Sequence, residues 1–433
     1  MKNGLTFLLL TVLLLSCEKQ WDDPIPEGAT LSIPRLIANL NEEGKILLEW
    51  DFHRICEKWT CDRVIEGSRY EVFVKYPGEN DFVSLARIGR NENEYMVPNA
   101  EFGKPYEFYI TSHRAGQETT SNTVMTVPNS FPEYEAIIEM ENWNAINYPK
   151  VNIQGDKVAY ISNYRLIESG PEYGISSLFL KDLTTGHTEM IREQCYHPQW
   201  SRDGSRLVYG TSDGLNQVAE GYTPIHLEIY DLGTKEISLL KDGSHHHYFP
   251  TFAKDDQSLL FMSDSLERKV FGLWRLNNDA DSEVLLPEIR QSSQFLSLRY
   301  HTSMDVSSFS DLVSVDIRQE VDNRQIFNIF RIDLNNGPQM SDLVVSPWND
   351  TSSSFSLFQE NLLAFVSDRS GRGQVWVLNM LSGKLKQVSF LKEDFLITSY
   401  GNIISWVDQG QSLAFPVSNP TGERKLIKIK IPN

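Results

Sequence analysis

Basic residues are scarce in this chain. Against 58 Asp and Glu stand 40 Lys and Arg, a formal charge of −18 over 433 residues. That balance supplies no basic stripe for phosphates, so nucleic acid is excluded as a partner. Adsorption to anionic lipid through charge is excluded with it. Cysteine is scarcer still, at four: Cys17, Cys56, Cys61 and Cys195. A zinc site at Cys56 and Cys61 would need two more ligands, and only His53 stands near them. Long apolar runs are missing. Leu5–Leu15 has about 11 residues, too short to span a bilayer and the length of a signal-peptide core. No G-x-S-x-G elbow, Walker A run or G-x-G-x-x-G turn occurs, which removes the sequence marks of serine hydrolases and nucleotide binders. Asp22-Asp23, Asp255-Asp256 and Asp279–Glu283 read as solvated loop carboxylates. No two of them pair as a glycosidase acid and nucleophile. The sequence therefore names no catalytic residue and no cofactor.

What is present begins at the N-terminus. Lys2 precedes the apolar run, and Leu14-Leu15-Ser16-Cys17 follows it. This resembles the bacterial lipobox. The resemblance implies a signal peptide over 1–16, cleavage before Cys17, and acyl chains on Cys17 that anchor the protein in the outer membrane; two or three chains anchor stably. The alternative is a secreted protein with an incidental cysteine. Residues 17–28 form a polar tether. Its acidic stretch after Cys17 is similar to the surface-export signal of Bacteroidetes lipoproteins, which implies the cell surface rather than the periplasmic face. The remaining cysteines suit an exported protein. Cys56 and Cys61 flank a short loop with Trp59 and can close it as a disulfide, while Cys195 reads as a buried free thiol.

Residues 29–128 contain about seven short alternating runs, among them Lys45–Trp50, Tyr70–Lys75 and Tyr106–Ile110, spaced as in a β-sandwich. Trp50, the turn Gly103-Lys104-Pro105 with Tyr106, and the closing run Ser121–Val127 resemble a fibronectin type III domain. The resemblance implies a spacer, or a binding surface at the cysteine loop with Trp59. Pro128–Pro132 is a short linker.

Residues 133–433 repeat one pattern about every 40–50 residues: short strand, turn, apolar strand, loop, strand, turn, last strand. His197–Leu240 carries it as H-P-Q-W-S-R-D-G-S-R-L-V-Y and L-E-I-Y-D-L-G-T-K. Phe355–Val388 carries it as L-L-A-F-V-S-D-R-S-G and Q-V-W-V-L-N. Four strands per repeat is the signature of a β-propeller blade. Six repeats can be counted, and the last lacks its outer strand. Tyr134–Glu141 is a spare strand before the first repeat, and it is expected to complete the last and leave no open edge. The fold class is therefore all-β: a fibronectin type III-like sandwich, then a six-bladed propeller closed by an N-terminal strand. Pro198–Gly204 and Leu363–Gly371 resemble the TolB-type propeller.

His245-His246-His247, followed by Tyr248, is the most conspicuous run. Alternation lets at most His245 and His247 face one point. A metal held with His197, His301 or Glu320, a polar channel lining, and a loop without a role all remain open. The candidate binding residues are His245, His246, His247, Tyr248 and Trp59. The TolB resemblance implies a non-catalytic lipoprotein whose propeller binds a protein or peptide partner in an envelope complex. The rivals are a metal-dependent lyase using His197, His247 and His301, and a glycan-binding protein.

Overall fold

A computed structural model describes residues 24–27, 29–52, 56–57, 60–61, 64–130, 133–140, 146–167, 170–212, 225–242, 245–267, 270–277, 281–289, 303–321, 324–335, 337–391, 396–397, 403–419, 421 and 424–431. Cys17, Trp59 and His301 lie outside them. The chain divides into two compact units, Met1–Phe131 with Arg369–Arg372, and Pro132–Asp368 with Gly373–Asn433.

In the first unit one sheet joins Pro34–Leu40, Ile46–Phe52 and Glu94–Met96. The other joins Gln117–Thr120, Tyr106–Arg114, Arg69–Lys75 and Val83–Gly89, with Val124–Thr126 also on Tyr106–Arg114. Alternation decides the core: Tyr70, Val72 and Val74 are buried while their neighbours in the strand are not. Trp50 meets Tyr70 at 5.5 Å between ring centroids. The Tyr106 hydroxyl accepts the Glu101 amide at 2.9 Å and fixes the turn before its own strand. A hairpin of Cys56–Glu57 and Thr60–Cys61 sets Cys56 and Cys61 opposite one another in backbone register.

The second unit is a β-propeller of six sheets in chain order. The first holds Asn147–Val151, Lys157–Ile167, Gly170–Asp182 and Thr188–Glu193. The second holds Cys195–Trp200, Arg206–Thr211, His226–Asp231 and Ile237–Lys241. The third, fourth and fifth begin at His247–Phe252, Met304–Val306 and Asp350–Phe355 and follow the same antiparallel order. The sixth holds Ser405–Val407, Ser412–Ser418 and Arg424–Lys430, and Tyr134–Met140 is its outer strand, pairing antiparallel with Arg424–Lys430. The closure expected from the incomplete last repeat is the one observed.

In five of the six sheets the second strand is apolar on both faces because both faces are packed, and in the fourth Ser314 and Asp316 make one face polar. Leu207, Val208 and Tyr209 are buried, as are Leu363, Ala364 and Phe365. Burying a side chain the size of Leu207, Val208, Leu363 or Phe365 contributes about 1.5–3 kcal/mol. Neighbouring sheets share cores: Ala159, Ile161 and Leu178 of the first pack with Leu207 and Tyr209 of the second. Ile138 of the closing strand, Ala414 and Leu426 of the sixth sheet, and Val151 and Val158 of the first form one cluster. Ring closure is thus apolar as well as hydrogen-bonded. Among the described residues no helix is long and apolar enough to cross a membrane.

Candidate functional site

The six inner strands are built in register. Lys150 pairs with Ala159, Gln199 with Val208, Thr251 with Leu260, Asp305 with Ser314, Ser354 with Ala364 and Ser405 with Ala414. These six polar residues hold one equivalent position around the ring. The next position is apolar throughout: Val151, Trp200, Phe252, Val306, Phe355 and Trp406. Both sets line a single cavity of ≈ 70 Å³, which reaches the half-buried turn residues Ile153, Arg202 and Leu357.

A local backbone device precedes the polar position in four sheets. Tyr148, His197, Phe249 and Ser352 take φ of 49°, 50°, 52° and 57°, and the strand register slips there in each case. Three of the four precede proline: Pro149, Pro198 and Pro250. Proline disfavours the right-handed helical region for the residue before it. A left-handed residue costs about 1–3 kcal/mol unless its surroundings fix it. A bulge of this kind re-aims the side chain. Here Tyr148, His197 and Phe249 line a second, smaller cavity of ≈ 10 Å³ with Pro198, Gln199 and Met304. The His197 ring lies 4.3 Å from Tyr148 and 4.1 Å from Phe249. Burial pushes its pKa down to about 3, so it is neutral at pH 7.

Hydrogen bonds pass from sheet to sheet around the larger cavity. Trp200 Nε1 donates to Lys150 O at 2.8 Å, and Lys150 Nζ to Ile404 O at 2.9 Å. Val151 N donates to Ser405 Oγ at 3.1 Å, and Trp406 Nε1 to Ser354 O at 3.1 Å. Phe355 N donates to Asp305 Oδ2 at 2.7 Å. The Arg202 guanidinium reaches two sheets, donating to Ser307 O at 3.1 Å and to Lys254 O. Lys150 is buried, and loss of water pulls its pKa down to about 8 while Asp305 pulls the other way. Among the described residues the charged lining is Lys150, Arg202 and Asp305, and Arg202 also faces Asp256, Asp255 and Asp311.

A second polar cluster lies between the fourth and fifth sheets. Asp316 is 1% exposed. Ser303 Oγ donates to its Oδ2 at 2.6 Å, Ser353 Oγ to its Oδ1 at 3.0 Å and the Ser352 amide to Oδ2. Burial outweighs these donors and pushes its pKa up to about 7.

The histidine run is differently placed. His246, His247 and Tyr248 are buried, and His245 is half-exposed. The His246 amide donates to buried Asp264 Oδ1 at 2.9 Å. His247 Nδ1 lies 2.9 Å from Ser263 Oγ and its Nε2 3.2 Å from Asp242 O, so protein groups engage both ring nitrogens. Among the described residues no three His, Cys, Asp or Glu stand together as a metal set. His197 is held by rings, apart from His247, and Glu320 is in the strand Leu312–Val321 of the fourth sheet. Cys195 is buried, and burial pushes its thiol up to about 12. Asp203 caps its turn, accepting Ser201 Oγ at 2.6 Å and Ser205 N at 2.9 Å, which holds it down to about 2.

Sequence reasoning passed over Lys150, Asp305, Arg202 and Asp316. Trp200, inside the run Pro198–Gly204, also walls the cavity. One signal was available. Aligning the steps Tyr148-Pro149, His197-Pro198 and Phe249-Pro250 puts Lys150, Gln199 and Thr251 at one repeat position.

No family model matches the chain, and no curated protein matches it in sequence. Solved structures do. One is the β-propeller domain of the trilobed protease from Pyrococcus furiosus, at TM-score 0.45 and 11% identity over 66% of this chain and 93% of that one. Another is TolB from Acinetobacter baumannii, at TM-score 0.40 and 12% identity over 81% and 78%. A third is oligogalacturonate lyase from Vibrio parahaemolyticus, at TM-score 0.42 and 12% identity over 70% and 98%. The likeness is one of fold, a propeller of the kind TolB also has. It corrects the expectation of a non-catalytic protein. Propellers similar to this one include a lyase and a domain of a protease, so the fold is no ground for ruling out chemistry.

Proposed function

We propose that this is a lipid-anchored envelope protein whose propeller binds a protein or peptide partner in the cavity ringed by Lys150, Gln199, Thr251, Asp305, Ser354 and Ser405. The observation that carries the reading is that all six inner strands contribute equivalent polar and apolar positions to one cavity. Indole and phenyl walls beside a few fixed polar groups are the usual composition of a recognition pocket. Cys17 carries the lipid, in the outer membrane and facing the cell surface. Residues 29–128 are a fibronectin type III-like module. Its two-sheet strand order and the hydrogen-bonded Tyr106 support that assignment. The facing register of Cys56 and Cys61 supports a disulfide across their hairpin.

A photo-crosslinking amino acid at Leu357 or Ile153, in cells, tests the binding role. A defined peptide-bearing partner should be trapped, and Trp406→Ala should abolish the adduct. Crosslinking only to lipid or glycan would remove the proposal. Labelling with an alkyne fatty acid that vanishes in Cys17→Ser tests the anchor.

A further inference from the structure

The six equivalent polar residues of the inner strands divide into two sets of three. Lys150, Asp305 and Ser405, on the first, fourth and sixth sheets, are engaged within the fold. Lys150 Nζ donates to Ile404 O at 2.9 Å, Asp305 Oδ2 accepts the Phe355 amide at 2.7 Å, and Ser405 Oγ accepts the Val151 amide at 3.1 Å. Gln199, Thr251 and Ser354, on the second, third and fifth sheets, line the same cavity differently. Among the described residues no protein group hydrogen-bonds their side chains. Thr251 is 6% exposed and Ser354 5%. A buried polar group left without a partner costs about 1–3 kcal/mol. A ligand that takes the place of solvent here must therefore supply the hydrogen bonds that solvent made.

The charged lining is already matched. Asp305 lies beside Lys150, and Asp256, Asp305, Asp255 and Asp311 face Arg202. The Arg202 guanidinium also donates to Ser307 O at 3.1 Å and to Lys254 O. A further ion of either sign would be buried without a partner of its own, which costs more than burying a neutral group. Both indole nitrogens of the wall are engaged as well, Trp200 Nε1 with Lys150 O and Trp406 Nε1 with Ser354 O. What the cavity leaves unanswered is neutral: one carboxamide and two hydroxyls, each able to donate and to accept. They come from three different sheets, so a single ligand group must meet several directions at once. A hydroxyl brings one donor. A carboxamide brings two donors and an accepting oxygen on a flat frame, and its faces suit the rings of Trp200, Phe252, Phe355 and Trp406. With ≈ 70 Å³ the cavity has room for about five waters, the bulk of one glutamine side chain.

We infer that this cavity receives an uncharged carboxamide side chain, glutamine or asparagine, of the partner peptide, hydrogen-bonded by Gln199, Thr251 and Ser354. The inference rests on the proposed peptide-binding role and adds to it the chemistry of the anchoring residue.

The test pans a random heptapeptide phage library against the detergent-solubilised full chain, then reads synthetic binders by fluorescence anisotropy. The selected peptides should share a Gln or Asn. In the tightest of them, replacing that residue by Met or by Glu should weaken binding about tenfold or more, the worth of about two hydrogen bonds. In the double variant Thr251→Val, Ser354→Ala the preference for the carboxamide over Met should fall to about threefold or less, because two of its three partners are gone. Neither hydroxyl bonds another group of the fold among the described residues. Should the double variant still fail to fold, Gln199→Leu replaces it with the same expectation. Selected peptides that lack a shared Gln or Asn, or a preference over Met that the variants leave unchanged, overturn the inference and leave peptide binding standing. Recovery of no peptide at all removes the peptide-binding role, and the inference with it.

Discussion

The two sides of the propeller channel share a backbone and differ in chemistry. Tyr148, His197 and Phe249 on the first three sheets, and Ser352 on the fifth, sit at the same bulge with the same left-handed φ. On the aromatic side the re-aimed rings pack on one another at tilted angles and leave only ≈ 10 Å³. On the serine side Ser352 and Ser353, with Ser303 of the fourth sheet, surround buried Asp316. The bulge therefore decides where a side chain points, and the side chain decides what the channel does there. One side is filled by apolar packing and the other by a hydrogen-bonded carboxyl group. Each contains one buried titratable group, His197 or Asp316, shifted in opposite senses by the same loss of water.

Breaking the serine side should have the largest effect. Asp316→Leu leaves the Ser303 hydroxyl and the Ser352 amide without their acceptor, while Ser353 keeps Ser314 Oγ at 3.0 Å. With each orphaned group costing about 1–3 kcal/mol, a loss of roughly 2–6 kcal/mol in urea unfolding is expected. His197→Ala opens a void between two rings and should cost about 2–4 kcal/mol in the same measurement.

The pH dependence sharpens the comparison further. Between pH 6.5 and about 3 the unfolded chain takes up a proton that folded His197 refuses, so its contribution to stability is lost as pH falls through that window. Between pH 3.8 and about 7 folded Asp316 keeps a proton that the unfolded chain releases. Its contribution is full below 3.8 and is lost as pH rises to about 7. The two slopes oppose each other over most of their range. Against the wild type, His197→Phe should make stability fall more steeply with rising pH between 4.5 and 6, by about 1.4 kcal/mol per unit. Asp316→Asn should tilt it the other way by a similar amount. Parallel curves for wild type and both variants would remove the assigned roles. The smallest effect belongs to a single inter-sheet bond: Trp200→Phe deletes the donation to Lys150 O and should cost about 1 kcal/mol.

Much of the fold was legible because it is local. Asp203-Gly204 announces a turn, and Gly204 takes φ of 71° there. Unbroken apolar runs such as Leu259–Met262 announce a strand packed on both faces. The missing outer strand of the last repeat pointed to Tyr134–Met140, which pairs with Arg424–Lys430. The site was much less legible. His245-His246-His247 drew attention as a run, yet the chain uses two of them as buried partners of Asp264, Ser263 and the Asp242 carbonyl. Lys150 and Asp305 drew none, because neither stands in a recognisable motif.

By itself the sequence determined the strands, the turns, the repeat length and the need for a closing strand. Each of these depends on residues within one blade or on counting blades. Only the tertiary structure decided that Lys150 and Asp305, three sheets apart, line one cavity, and that residues before proline swing into the channel. Closing the ring sets those distances. Closure also removes water from Lys150, His197 and Asp316 together, and the loss of water gives these ordinary side chains their unusual protonation.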